Sequence, residues 1–156
     1  MSKKDKITKG KITGIIANLV VVEADGPVQQ NEICYILQED SRLMSEVIKV
    51  MGSSVYIQAF ESTRGLRVGD QVEFAGHMLE VNLGPSIFSR NYDRLQNNLD
   101  KIEGIFLKRG AQTEALDPER KWEFKPIAKQ GDTVIAGDWL GEVTENWLPH
   151  KIMVPF

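Results

Sequence analysis

His77, His150 and Cys34 are the residues of this chain whose types most readily suggest chemistry. A histidine acts as a general acid or base when a nucleophile or a carboxylate is placed beside it. Neither histidine belongs to a Ser/His/Asp or Cys/His arrangement that the sequence supports. Two widely separated histidines and one cysteine also lack the local clustering of a structural zinc site. Glu61 and Asp70 flank a loop and could form an acid pair, but so could many surface pairs. A phosphate loop needs Gly-x-x-x-x-Gly-Lys followed by Ser or Thr, so that backbone amides and a lysine cradle the phosphates. The one Gly-Lys pair, Gly10-Lys11, is followed by Ile12, and no Gly-x-Gly-x-x-Gly occurs. The sequence therefore offers no catalytic, cofactor-binding or metal-ligating residue.

Charge and hydropathy narrow the class further. The 156 residues suit one domain, or one small domain with part of another, and the net charge is -3. Acids and bases are interspersed, which is not the footprint of a nucleic-acid backbone binder. The one basic cluster, Lys3-Lys4-Asp5-Lys6, reads as a solvated tail. No apolar run approaches the roughly 18 residues that span a bilayer, so direct membrane insertion is not expected. No hydrophobic stretch follows the polar residues 1–9 as in a secretory signal, and the expected location is cytoplasmic. Cys34, inside Ile33-Cys34-Tyr35-Ile36-Leu37, reads as a buried strand residue.

The expected fold class is mainly β. Residues 1–83 read as an N-terminal β-barrel, with strands over 7–83. The run Ile12 to Val22 breaks at Ala17-Asn18, and Asp25-Gly26-Pro27 marks a turn. Ile33–Leu37, Leu43–Met51 and Val55–Phe60 are further strands, separated by Glu39-Asp40-Ser41 and by a hairpin turn at Gly52-Ser53-Ser54. Arg64-Gly65, Val68-Gly69-Asp70 and Ala75-Gly76-His77 punctuate the remainder. Closely spaced short strands suit a small barrel, which leaves no edge exposed.

Residues 84–120 read as a linker helix and connector. Tyr92, Leu95, Leu99 and Ile102 fall at helical spacing, with Ser86 or Ser89 as start caps and Gly104 as the stop. Residues 121–156 read as a second, barrel-sandwich-like β module. Lys121 to Pro126 alternates like a strand, and Gly131-Asp132 and Gly137-Asp138 each precede an apolar stretch. The same word occurs at Gly69-Asp70. Each is read as a turn in which Gly takes a positive φ and Asp caps its own loop. Trp122, Trp139 and Trp147 are expected to pack in the core and hairpin of this module. The apolar ending, Ile152-Met153-Val154-Pro155-Phe156, has the pattern of a chain that continues.

Several phrases together resemble one family. They are Glu46-x-Ile48…Gly52…Ile57-Gln58-x-Phe60-Glu61-x-Thr63-x-Gly65-Leu66-x-x-Gly69, then Leu83-Gly84-Pro85-Ser86, then Tyr92-Asp93-Arg94-Leu95-Gln96-Asn97-Asn98-Leu99. Trp122 to Pro126, Gly131 to Val143 and His150 to Pro155 complete the pattern. From near Gly10 to the last residue, the chain resembles the N-terminal part of the catalytic A subunit of V-type and archaeal-type rotary ATPases. The family has Gly where Ser86 stands, and Gly-Ile-Gln-Arg-Pro where Arg94 to Asn98 stand, which suggests a divergent bacterial branch. The resemblance implies a barrel followed by the start of the bulge insertion that marks A subunits off from B subunits.

It further implies a place in an ATP-driven, ion-translocating rotary complex. The barrel would join a ring with B subunits, and the bulge would meet the peripheral stalk. ATP and magnesium would bind in a part of the parent subunit that lies outside this chain, so the chain alone is expected to be inactive and the complex peripheral to the membrane. A lipoyl- or biotinyl-carrier-like or assembly-scaffold protein is the alternative, since residues 129–156 resemble a carrier hammerhead. A carrier needs a lysine at the hairpin tip, where Thr144-Glu145-Asn146-Trp147 stands, and Lys151 lies too far along.

Overall fold

The structure is a computed structural model that describes residues 7–38, 41–88, 90–102 and 108–155. The lysine cluster of residues 3–6, the break at Glu39-Asp40, Ser89 and Gly104 lie outside the described residues. Six strands come first: β1 (Lys9–Ile16), β2 (Leu19–Ala24), β3 (Glu32–Gln38), β4 (Ser41–Met51), β5 (Ser54–Ala59) and β6 (Gln71–Met78). They close into a barrel in the order β1-β2-β5-β4-β3-β6. Three more, β7 (Phe124–Pro126), β8 (Trp139–Glu145) and β9 (Leu148–Met153), form an antiparallel sheet with β8 in the middle. The mainly β class, the barrel and the second small sheet agree with the sequence reading.

Alternation fills the barrel. Side chains two apart share a face of a strand. Val20 and Val22, Cys34 and Ile36, Val55 and Ile57, and Val72 and Phe74 therefore all point into one core, together with Ile12, Leu43 and Val47. Residue types explain the closures: Ile16 pairs with Leu19 across Ala17-Asn18, and Met51 pairs with Ser54 across Gly52-Ser53. Gly10 is required by proximity. A Cβ there would lie 2.5 Å from Val22 Cγ1 and 2.8 Å from the Glu23 carbonyl oxygen. Gly76 lies within β6, at a φ of +78°, where the β3–β6 register slips. It forms a bulge whose amide donates to Glu32 Oε1 at 2.7 Å.

Among the described residues the linker helix is not formed. Among the described residues of 84–120 the only helical element is a single 3-10 turn, Leu99–Lys101. The polar residues between the apolar ones win the competition for the backbone. Asp93 takes the amides of Leu95 and Asn97 at 2.8 Å each, and the Asn97 side-chain amide at 2.9 Å. Gln96 takes a φ of +62° and exchanges two 2.7 Å hydrogen bonds with the backbone of Asn82. Asn98 caps the 3-10 turn through Asp100 N. Asp and Asn side chains offer the chain local alternatives to helix, and a helix this short repays its nucleation cost poorly.

The chain divides into two compact units, Met1–Glu80 with Gly104–Ala111, and Val81–Glu103 with Gln112–Phe156. The Gly-Asp words have one geometry in both. The amides of Arg67, Lys129 and Ile135 donate to Asp70, Asp132 and Asp138 at 2.8, 2.8 and 2.9 Å. The aspartate amides return to the carbonyls of the same three residues at 3.2, 3.1 and 3.1 Å. The intervening Gly69, Gly131 and Gly137 have φ of +99°, +99° and +89°. A strand follows Asp70 and Asp138, whereas residues 133–136 after Asp132 stay irregular.

Candidate functional site

The residues that the sequence singled out have defined places in the structure. Cys34 is fully buried in the barrel and its thiol donates to the Ser45 carbonyl at 3.6 Å. Burial, and then the nearby Glu32 charge, push its ionisation well above the ordinary thiol range. His77 is exposed at the end of β6, its Nδ1 donating to the Met78 carbonyl at 2.8 Å. Glu61 accepts the Gly110 amide at 2.7 Å and Asp70 accepts the Arg67 amide at 2.8 Å, so each carboxylate serves a backbone turn. Gly10-Lys11 lies within β1. Among the described residues no group of three or more His, Cys, Asp and Glu could hold a metal ion.

The outer surface of the barrel carries a cross-strand charge ladder. Glu73 on β6 lies 3.1 Å from Lys9 on β1 and 3.6 Å from Arg42 on β4. The Arg42 guanidinium lies 3.9 Å from the centre of the Tyr35 ring on β3. Such half-exposed pairs are each worth about 0–1 kcal/mol, and they set register more than stability.

In the second unit the polar centre is a group the sequence reading passed over. Glu145, the last residue of β8, is buried at 2% exposure. Glu145 pairs with Leu148 and Val143 with His150, so Glu145 and His150 are diagonal neighbours on one face of the hairpin. Oε2 of Glu145 lies 3.1 Å from His150 Nδ1, and Oε1 accepts the Ser86 amide at 2.9 Å. The Phe88 ring centre lies 5.3 Å from that of His150. The segment Gly84–Phe88 is thereby strapped to the β8–β9 hairpin. The signal that could have found it is spacing: five positions, spanning a two-residue turn, bring these side chains together.

The tryptophans depart from the expected core packing. Trp139 is 50% and Trp147 81% exposed, and Trp122 is half-buried under the Arg120 guanidinium, 4.1 Å from its ring centre. A register shift between Trp139 and Gly141 turns the Trp139 ring toward Lys151, whose Nζ lies 3.2 Å from its centre. The small core of a three-stranded sheet has no room for three indoles. Beside Trp139 a shallow, open depression of about 650 Å3 is lined by Ile127, Val134, Gly137 and Asp138. The hairpin tip is Asn146-Trp147, and Lys151 sits within β9. A carrier lysine is thus missing from the tip.

Comparison with known proteins agrees with this geometry. Residues 12–76 match the family described as ATP synthase alpha/beta family, beta-barrel domain. Residues 113–156 match the ATP synthase alpha/beta subunit barrel-sandwich domain. Over 96% of its length the chain is 46% identical to a V-type ATP synthase alpha chain of Borrelia garinii subsp. bavariensis. It is 48% identical over 95% of its length to that of Borrelia recurrentis, and 46% over 95% to that of Borrelia hermsii. The chain spans about a quarter, 26%, of the length of each of these relatives. Among the described residues no helix is long and apolar enough to cross a membrane. The chain belongs to the ATP synthase alpha/beta family, corresponding to the barrel and barrel-sandwich domains of the N-terminal region of V-type ATP synthase alpha chains.

Proposed function

We propose that this chain is an assembly region of a V-type rotary ATPase, with structural work and no chemistry of its own. The observation that carries the reading is the closed six-stranded barrel with its core of alternating apolar residues, over the stretch that matches the family's barrel domain. The barrel joins a ring of alternating A and B subunits, in which one face of each subunit meets a different face of the next. The second module, with its exposed tryptophans, meets the peripheral stalk that resists rotation. ATP and magnesium bind elsewhere in the longer subunit, which couples ATP turnover to ion movement in a complex on the cytoplasmic side of the membrane. The sequence contains no phosphate loop, in line with that division.

The test has two arms on the chain as it stands. Native mass spectrometry with purified V-type B subunits should show a specific complex that a barrel-surface variant, Arg42→Glu with Lys9→Glu, weakens. Calorimetry with ATP and magnesium should show no micromolar binding. Micromolar ATP binding would overturn the placement of the nucleotide site, and failure to bind B subunits at tens of micromolar would overturn the ring role.

A further inference from the structure

Glu145 and His150 form the most deeply buried carboxylate–imidazole pair among the described residues. The Glu145 side chain is 2% and the His150 side chain 15% exposed. Burying a carboxylate is costly unless its charge and its lone pairs are both answered. Its lone pairs are met by the Ser86 amide and by His150 Nδ1, at 2.9 and 3.1 Å. His150 answers the charge when its imidazole carries a proton, and imidazole is the side chain that ordinarily changes charge between about pH 5 and 8.

On β8 and β9 the neighbouring charged residues, Glu142 and Lys151, pair across the strands on the opposite face, where Lys151 lies over Trp139. On β7, Lys125 is the cross-strand partner of Glu142 and shares that opposite face. From the strap, Ser86 offers a backbone amide and Phe88 an uncharged ring. With His150 charged, the buried pair is neutral as a unit and Oε1 stays available to Ser86. With His150 neutral, Nδ1–H still donates, but the imidazole no longer answers the charge of the buried carboxylate. That charge is then relieved by admitting water, which competes with the Ser86 amide.

We propose that Glu145 and His150 form a proton-controlled clasp that holds the Gly84–Phe88 strap on the β8–β9 hairpin, tight while the imidazole is charged and slack when it is neutral. The proposal stands apart from the assembly reading and is tested without any partner.

The experiment is a pH titration of the isotope-labelled chain by NMR, following the His150 ring and the Ser86 amide together. The Ser86 amide shift should move with the same midpoint as the His150 ring. Its protection from exchange, corrected for the intrinsic pH dependence, should fall about fivefold or more as His150 loses its proton. In His150→Gln, whose amide donates at every pH without charge, the dependence should vanish. In His77→Gln it should persist. A Ser86 amide that stays unchanged while His150 titrates overturns the proposal, as does an unaltered dependence in His150→Gln. If His150→Gln does not fold, the two midpoints in the unaltered chain still decide.

Discussion

Oε1 of Glu145 accepts the backbone amide of Ser86 at 2.9 Å across 59 positions of sequence, and Ser86 meets it with a φ of +88°. That conformation is a glycine's, and the Ser86 hydroxyl is buried without a hydrogen-bond partner among the described residues. Both costs vanish in Ser86→Gly, while the amide that Glu145 needs remains. The variant should be more stable by roughly 1 kcal/mol after the extra chain entropy of glycine is subtracted. Ser86→Ala removes the hydroxyl but keeps the strain, and should gain less. Urea denaturation of the three proteins measures this, and equal stability of the Gly and Ala variants would show that the backbone is not strained.

Gly141 lies under the Phe124 ring, with which an added Cβ would collide, and that Cβ would also come within 2.5 Å of the Lys125 carbonyl oxygen. Phe124 and Lys125 belong to β7, which has only three residues and pairs with β8 alone. Gly141→Ala should therefore push β7 away and cost about 1–3 kcal/mol. The change should appear in NMR as lost amide protection at Phe124 and Lys125, with β8–β9 amides retained. Loss of the whole sheet would mean that β7 is integral to it.

The barrel was legible because its information is local. Two-residue periodicity puts Val20 and Val22, or Ile57 and Val55, on one face, and the Gly52 and Ala17-Asn18 turns fix which strands meet first. Helical spacing over 92–102 is overridden by Asp93, Asn97 and Asn98, whose side-chain oxygens accept backbone amides. Helical periodicity counts apolar positions and does not weigh the groups between them. The five-residue spacing of Glu145 and His150 is present in the sequence, but the Ser86 contact that gives the pair its place is encoded by no spacing along the chain. The tryptophans were assigned to a core whose size the sequence does not state. The family was legible in long phrases, and one of its departures, Ser86, carries the strained backbone described above.

The Cys34 thiol should make stability pH-dependent on the alkaline side. Burial raises its ionisation in the folded state above the unfolded value of 9.0. The sign follows from proton binding. Below that value both states hold the proton and the contribution is complete. Above it the unfolded chain releases the proton while the folded chain keeps it, so stability falls as pH rises, by up to about 1.4 kcal/mol per pH unit. Urea midpoints between pH 8 and pH 10.5 should fall more steeply for the unaltered chain than for Cys34→Ala. Parallel slopes would mean that the thiol is not desolvated. Thiol reagents should likewise label Cys34 at the rate of unfolding.

Arg67 and Asp70, Lys129 and Asp132, and Ile135 and Asp138 close turns of one geometry, so equivalent substitutions should have equivalent effects. An added Cβ at Gly69 or Gly131 meets nothing within 4 Å, and both have a φ of +99°. Any loss in Gly69→Ala or Gly131→Ala is therefore a backbone cost, about 1–2 kcal/mol in each. The aspartates add a separable part. Asp70→Ala and Asp132→Ala each remove one acceptor from an exposed turn and should lose about 0.5–1 kcal/mol. The asparagine variants retain an acceptor oxygen and should lose only a few tenths. Stability of these six variants by urea denaturation gives two series, one for each unit. Series of matching rank and size would establish the Gly-Asp word as one reusable turn. A loss at Gly69 without a comparable loss at Gly131 would show that neighbouring structure, and not the turn itself, holds the first in place.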